Sequence, residues 1–121
     1  MTWVYSQSKG ELSLNGRIVG TGYAGHGKGV NNPAEQATHD IGPIPRGFYT
    51  IGPAFTHSKA GPMTMRLTPK PGTNTFGRDG FLMHGDNVDM NFTASNGCIV
   101  QKLKTRATVA VSDDRILQVV E

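Results

Sequence analysis

Residues 11–19 read ELSLNGRIV, and this stretch decides the fold class. The dipeptide Asn15-Gly16 tolerates the positive φ angles of a type I′ turn, and apolar and polar residues alternate on either side of it. The pattern predicts a β-hairpin whose strands occupy residues 11–14 and 17–19.

Turn-forming residues also recur through the rest of the chain. Sixteen glycines and seven prolines interrupt the sequence at short intervals, as turns do between short strands. We therefore expect an all-β protein, built as a β-sandwich or a partly open barrel. The turn-forming cluster Ser112-Asp113-Asp114 is expected to join the last two strands as a pair. Further strands are predicted at residues 3–6, 48–51, 63–67, 81–83, 107–111 and 116–120.

One short helix is expected near residue 33. Asn32 is a suitable cap, Pro33 suits the first helical position, and Glu35 is placed to reach back to the cap. The pattern contains no longer helical period. A chain of 121 residues fits a single domain, residues 1–121.

The charge of the chain is mildly basic, with a formal net charge of +3. Lysines and arginines are scattered, and Lys102, Lys104 and Arg106, which come closest to a patch, are expected to form a solvated face. We expect no nucleic-acid partner, whereas attraction to an anionic polymer such as a bacterial cell wall fits this charge.

Targeting signals are not evident in the sequence. The first residues, MTWVYSQ, lack the basic start and apolar run of a signal peptide, so the protein is expected to be made in the cytoplasm without one. No apolar run reaches 18 residues, so membrane insertion is not expected.

Two ligand-binding patterns fit the sequence only in part. Residues 22–28, GYAGHGK, match a phosphate-binding loop up to the lysine, but Gly29 stands where that loop needs Ser or Thr. A flexible glycine-rich loop near a site is the better interpretation. An alternative is a metal site, but the spacings match no standard zinc pattern, so neither metal nor cofactor is expected. Its ligands would come from His26, His39, His57, His84 and Cys98.

The candidate catalytic residues lie between positions 80 and 101. His84 follows an apolar run, and Cys98, the only cysteine, lies 14 residues beyond it. A thiol is a good nucleophile only as thiolate, and at its unperturbed pKa roughly 3% is ionised at pH 7. A nearby imidazole accepts the proton, so the pair predicts nucleophilic catalysis by Cys98 with His84 as its base. Gly97 would allow a tight bend whose N–H groups point at a developing oxyanion.

The order of these motifs resembles a known family. His84-Gly85 followed by SNGCI at residues 95–99 resembles the motifs of L,D-transpeptidases, which are all-β cysteine enzymes that act on bacterial peptidoglycan. The wider pattern is similar to the small L,D-transpeptidase-like toxins delivered by type VI secretion, over roughly residues 10–121. That pattern includes GPIPRGFY at 42–49, FLMHGDN at 81–87 and SDDRILQVV at 112–120.

The resemblance implies a mechanism. Cys98 would attack the carbonyl of the third residue of a stem tetrapeptide, His84 would transfer the proton, and the N–H groups of Gly97 and Cys98 would stabilise the oxyanion. Ser95 would shape the turn or orient the imidazole. The family usually carries an arginine two positions after the cysteine, where this chain has Val100, so the role of that arginine in holding substrate is filled otherwise or absent. Substrate contacts are implied for Asp86, Asn87 and Asn96.

The resemblance also implies a biological setting. The protein would be injected into the periplasm of a target cell through a component of the secretion apparatus, and a cognate immunity protein would cover the Cys98 cleft. Its substrate would be peptidoglycan stem peptides, processed by L,D-carboxypeptidase, transpeptidase or D-amino acid exchange activity. The alternative is a catalytically silent module that binds peptidoglycan and keeps Cys98 buried and unreactive.

Overall fold

The computed structural model describes residues 1–86 and 97–121. Strands dominate this part of the chain, which confirms the all-β expectation, and they are hydrogen-bonded into one sheet of nine strands in the order β3-β2-β1-β9-β5-β6-β7-β8-β4. The strands are β1 Trp3–Ser6, β2 Glu11–Leu14, β3 Arg17–Thr21, β4 Tyr23–Ala24, β5 Gly47–His57, β6 Gly61–Pro69, β7 Leu82–His84, β8 Ile99–Val100 and β9 Ile116–Val120.

The predicted hairpin is present. β2 and β3 pair antiparallel, with Leu14 opposite Arg17 at the turn. Asn15 and Gly16 have φ angles of 54° and 78°, which are the two positive values that a type I′ turn requires. The prediction from residues 11–19 is therefore confirmed, and β3 continues two residues further, to Thr21.

The sheet curves back on itself. β3 and β4 stand at opposite ends of the strand order, yet Gly22 is the only residue between them. Gly22 donates its N–H to the Gly10 carbonyl at 2.8 Å, and a Cβ there would lie 1.8 Å from the Val100 carbonyl oxygen. The two ends of the sheet therefore meet at Gly22, as expected for a partly open barrel.

The core lies on the inner face of the sheet. Trp3 and Tyr5 of β1 are buried while their neighbours are half exposed, which is the period of two that a one-sided strand requires. Met65, Met83 and Ile99 extend the same cluster towards the far end of the sheet. This core fixes which face each residue of β7 and β8 presents.

One predicted strand is wrong. Residues 107–111 lie largely in the α-helix α1, Leu103–Ala110, so they do not pair with residues 116–120. β9 pairs instead with β1 in parallel and with β5 antiparallel. The burial of Thr105, Arg106 and Val109 follows a helical spacing, and this tertiary packing overrides the β propensity of the segment Thr108-Val109.

The expected short helix is a single 3-10 turn, Pro33–Glu35. The Ala34 N–H donates to Asn32 Oδ1 at 3.2 Å, so the cap forms as predicted. Glu35 accepts a hydrogen bond from the Thr38 hydroxyl instead of one from the cap. A second 3-10 turn occupies Gly27–Gly29. None of the helices in the described ranges has the length and apolar character needed to cross a bilayer.

Candidate active site

The register of β7 and β8 brings the two predicted catalytic residues to neighbouring strands. These strands are parallel, with Met83 opposite Ile99 and His84 opposite Val100. Met83 and Ile99 are fully buried in the core. Since side chains alternate along a strand, His84 and Cys98, the neighbours of these two core residues, belong to the other face. The same register implies a Cα separation of about 8 Å between them.

Cys98 is half-buried and directly precedes β8. Its Sγ–H donates to the Gly80 carbonyl at 3.9 Å. Burial raises the pKa of the Cys98 thiol, while the backbone N–H of Leu82 and the positive charge of Arg78 oppose that rise. The resting thiol is therefore protonated, and the predicted nucleophilic role would require a base to remove its proton.

His84 is suited to be that base. The side chain is only 5% exposed, and its Nδ1 lies 2.7 Å from the Gly85 carbonyl oxygen. A carbonyl oxygen only accepts, so Nδ1 carries the proton and Nε2 is left with its lone pair in the neutral ring. Burial lowers the pKa of His84, and Arg106 and His57 lower it further, whereas the Gly85 hydrogen bond and Asp86 raise it.

No hydrogen bond joins the imidazole of His84 to the thiol of Cys98 within the part of the chain that the structure describes. The ring is instead held by Gly85 and the thiol by Gly80. Catalytic hydrogen bonds between a base and its nucleophile often tighten only in the complex.

Gly97, which precedes the predicted nucleophile Cys98, lies against a buried arginine. The φ angle of Gly97 is 125°, and a Cβ there would lie 2.2 Å from Arg78 Nη2. Arg78 is 6% exposed and donates to the carbonyl oxygens of residues 36, 42 and 43 at 2.6–2.8 Å. Sequence reasoning missed Arg78, because an arginine in a glycine-rich segment gives no signal that distant carbonyls will bury it.

A second buried arginine, Arg106, lies against Gly85, the residue after His84. A Cβ on Gly85 would lie 2.7 Å from Arg106 Nη2. Arg106 is 8% exposed and donates to the carbonyl oxygens of residues 62, 63 and 101. The expectation that Arg106 belongs to a solvated face is therefore wrong, because these three carbonyls replace water as its partners.

Asp86 is the one predicted substrate contact in the described residues. Its Oδ1 accepts a hydrogen bond of 2.7 Å from the hydroxyl of Tyr23, which is itself buried. Tyr23 belongs to β4, which pairs with β8, so the glycine-rich segment that follows β4 starts beside the site. Three other predicted site residues lie outside the described residues: Asn87, Ser95 and Asn96.

Two of the histidines considered for a metal site, His39 and His57, lie against backbone groups of neighbouring segments. His57 Nδ1 accepts from the N–H groups of Lys59 and Ala60, and His39 Nε2 lies 3.1 Å from the Phe76 carbonyl oxygen. Over residues 1–86 and 97–121, no three His, Cys, Asp or Glu side chains are grouped as metal ligands.

Comparison with protein families gives a match over most of the chain. Residues 19–120 match a family model described as the Tlde1 domain. The match begins in β3, ends at the last residue of β9 and includes His84 and Cys98. No curated protein matches the chain.

Proposed function

The chain belongs to the Tlde1 domain family of type VI secretion effectors of the L,D-transpeptidase kind, and from that premise we propose that it acts on peptidoglycan stem tetrapeptides by cysteine acyl transfer. The observation that carries this proposal is the parallel register of β7 and β8, which supports a Cys98–His84 pair on one face of the sheet. Peptidoglycan stems are the substrate class, and the products are stems that have lost or exchanged their terminal D-alanine.

In the acylation step His84 Nε2 removes the thiol proton while Cys98 Sγ bonds to the carbonyl carbon of the third stem residue. The Gly85 carbonyl holds the imidazole in the tautomer that this step needs. The N–H groups of Gly97 and Cys98 stabilise the oxyanion, and removing one such donor typically costs about 10²–10³ in rate. The bond to D-alanine then breaks, and the imidazolium gives its proton to the departing amine.

The thioester on Cys98 is resolved by one of three acceptors. Water gives L,D-carboxypeptidase activity, a free D-amino acid gives exchange, and the amine of a second stem gives a cross-link. Val100 stands where the related enzymes usually carry an arginine, and it is 3% exposed between β7 and β4. We propose that hydrolysis and exchange dominate, because an apolar, buried Val100 offers no charge with which to hold a second stem as acceptor.

The remaining site residues have proposed roles beside this pair. Asp86, which is oriented by its hydrogen bond from the Tyr23 hydroxyl, contacts the stem peptide. Asn87 and Asn96 contact it as well. Ser95 shapes the turn before the nucleophile. Family membership supports delivery into a target cell and the existence of an immunity protein. We propose that the destination is the periplasm and that the immunity protein covers Cys98.

The proposal is tested by digestion of tetrapeptide muropeptides followed by mass spectrometry. The native protein, Cys98→Ala and His84→Gln are compared with His39→Gln, which changes an exposed histidine far along the chain from the pair. We expect loss or exchange of the terminal D-alanine with the native protein and His39→Gln, and neither reaction with the other two variants.

One alternative has its own supporting observation. Burial raises the pKa of the Cys98 thiol, which also fits a catalytically silent module that binds peptidoglycan. If the native protein and Cys98→Ala both bind sacculi and both leave every muropeptide unchanged, this alternative replaces the enzymatic proposal.

A further inference from the structure

The guanidinium of Arg78 donates hydrogen bonds to three backbone carbonyls. Its Nη1 donates to the carbonyl oxygens of Gln36 at 2.6 Å and Pro43 at 2.8 Å, and its Nη2 donates to that of Gly42 at 2.8 Å. The guanidinium carbon also lies 5.6 Å from the centroid of the Phe81 ring. A planar fork held at both terminal nitrogens has a fixed orientation, which an ammonium group would not have.

This fixed guanidinium contacts the turn that presents the nucleophile. Gly97 approaches it so closely that a Cβ would lie 2.2 Å from Nη2 and 3.4 Å from the Gly42 carbonyl oxygen. Gly42 and Gly97 are 55 residues apart in the sequence, and Arg78 is the group that both of them touch. Arg78 therefore lies between the Gly42–Pro43 turn and Gly97, the residue before Cys98.

The charge of Arg78 acts on the thiol as well. It lowers the pKa of Cys98 against the larger, raising effect of burial. Within the described residues, Arg78 is the charged group that acts on the thiol, and the groups that act on Arg78 in turn are Tyr49, Asp40 and Cys98 itself. An arginine keeps its charge in proteins, so this positive charge persists at every working pH.

We propose that Arg78 is a positioning residue for the nucleophile: its guanidinium joins the Gly42–Pro43 turn to the Gly97–Cys98 turn and keeps a fixed positive charge beside the thiolate. This inference rests on the proposed function, in which Cys98 attacks the stem carbonyl. Two contributions are combined: the hydrogen bonds fix the guanidinium against which Gly97 packs, which positions Sγ, and the charge favours the ionised form of the thiol.

The test separates these contributions with two variants. Arg78→Gln removes the charge and keeps an amide that donates to carbonyls, whereas Arg78→Lys keeps the charge and removes the fork. The matched control is Arg115→Gln, since Arg115 also donates to backbone carbonyls, among them those of Ile51 and Gly52, but does so away from Cys98. For each folded protein, the rate of iodoacetamide alkylation is measured from pH 6 to pH 10, alongside D-alanine release.

We expect Arg78→Gln to move the alkylation profile to higher pH and to slow alkylation at pH 7 on the order of tenfold. Arg78→Lys should alkylate within about threefold of the native rate, yet release D-alanine at least about tenfold more slowly. Arg115→Gln should keep both the native alkylation profile and the native release.

A folded Arg78→Gln protein with the native alkylation profile overturns the proposal. If that variant does not fold, the Arg78→Lys protein provides the test. A native rate of D-alanine release by Arg78→Lys then overturns the proposal. Alkylation needs no substrate, so an unaltered profile in Arg78→Gln refutes the role of Arg78, whereas inactivity of the native protein on muropeptides refutes only the proposed function.

Discussion

Gly85 lies against the guanidinium of Arg106, and a Cβ at Gly85 would come within 2.7 Å of Nη2. The same Gly85 supplies the carbonyl that holds Nδ1 of His84. The residue after the proposed base therefore has two functions, since its backbone orients the imidazole and its missing side chain makes room for a buried cation.

The contact between Gly85 and Arg106 should contribute to stability and to activity. Gly85→Ala should destabilise the protein by about 1–3 kcal/mol, because Arg106 is held by three carbonyls and cannot move aside without losing them. D-alanine release should fall as well, because the displaced Gly85 carbonyl no longer orients His84. Urea unfolding measures the first effect. Gly52→Ala is the control, since its Cβ would meet nothing closer than 3.3 Å; an equal loss in both variants would contradict the argument.

The pH dependence of activity follows from the environment of His84. Burial lowers the pKa of His84, and so do the guanidinium of Arg106 and the side chain of His57. The neutral, proton-accepting form of His84 therefore persists to a lower pH than in an ordinary histidine. We expect kcat/KM for D-alanine release to stay level as pH falls through 6.5, the ordinary histidine value, and to decline only below it. An acid limb centred at or above that value would count against His84 as the base.

The resting thiol should be slow to alkylate. Burial raises the pKa of Cys98, so the thiolate fraction at neutral pH is smaller than that of an exposed cysteine. Iodoacetamide should therefore react more slowly with the folded protein at pH 7 than with the urea-unfolded chain, and the rate should climb through alkaline pH. Faster reaction of the folded protein would reveal a preformed thiolate and exclude proton removal by His84 during attack.

The hydrogen bond between Tyr23 and Asp86 should contribute to stability. Tyr23→Phe removes a donor to a carboxylate and should cost about 2 kcal/mol, since hydrogen bonds to charged groups are the stronger kind. Tyr49→Phe is the matched control: its hydroxyl donates at 2.8 Å to the neutral Pro45 carbonyl, and the loss should be about 1 kcal/mol. Chemical denaturation of both variants decides, and a larger loss for Tyr49→Phe would contradict the expected ranking.

Local sequence rules accounted for the elements that depend on neighbouring residues. The Asn15-Gly16 turn, the cap at Asn32 and the strands at residues 3–6 and 116–120 follow from φ preferences, side-chain capping and alternation, which act over a few positions. The same rules failed at residues 107–111, where β-branched residues lie in a helix because Arg106 and Val109 pack inward from it.

By itself, the sequence determined the all-β class, the first hairpin and the two residues of the proposed catalytic pair, because turn chemistry and reactive side chains are written in short stretches. Only the tertiary structure decided that β7 and β8 run side by side, that the ends of the sheet meet at Gly22, and that Arg78 and Arg106 are buried against Gly97 and Gly85. The physical reason is that a buried arginine is stable only where several backbone carbonyls converge on it. Those carbonyls come from segments up to 44 residues away in the chain, a distance over which no local pattern operates.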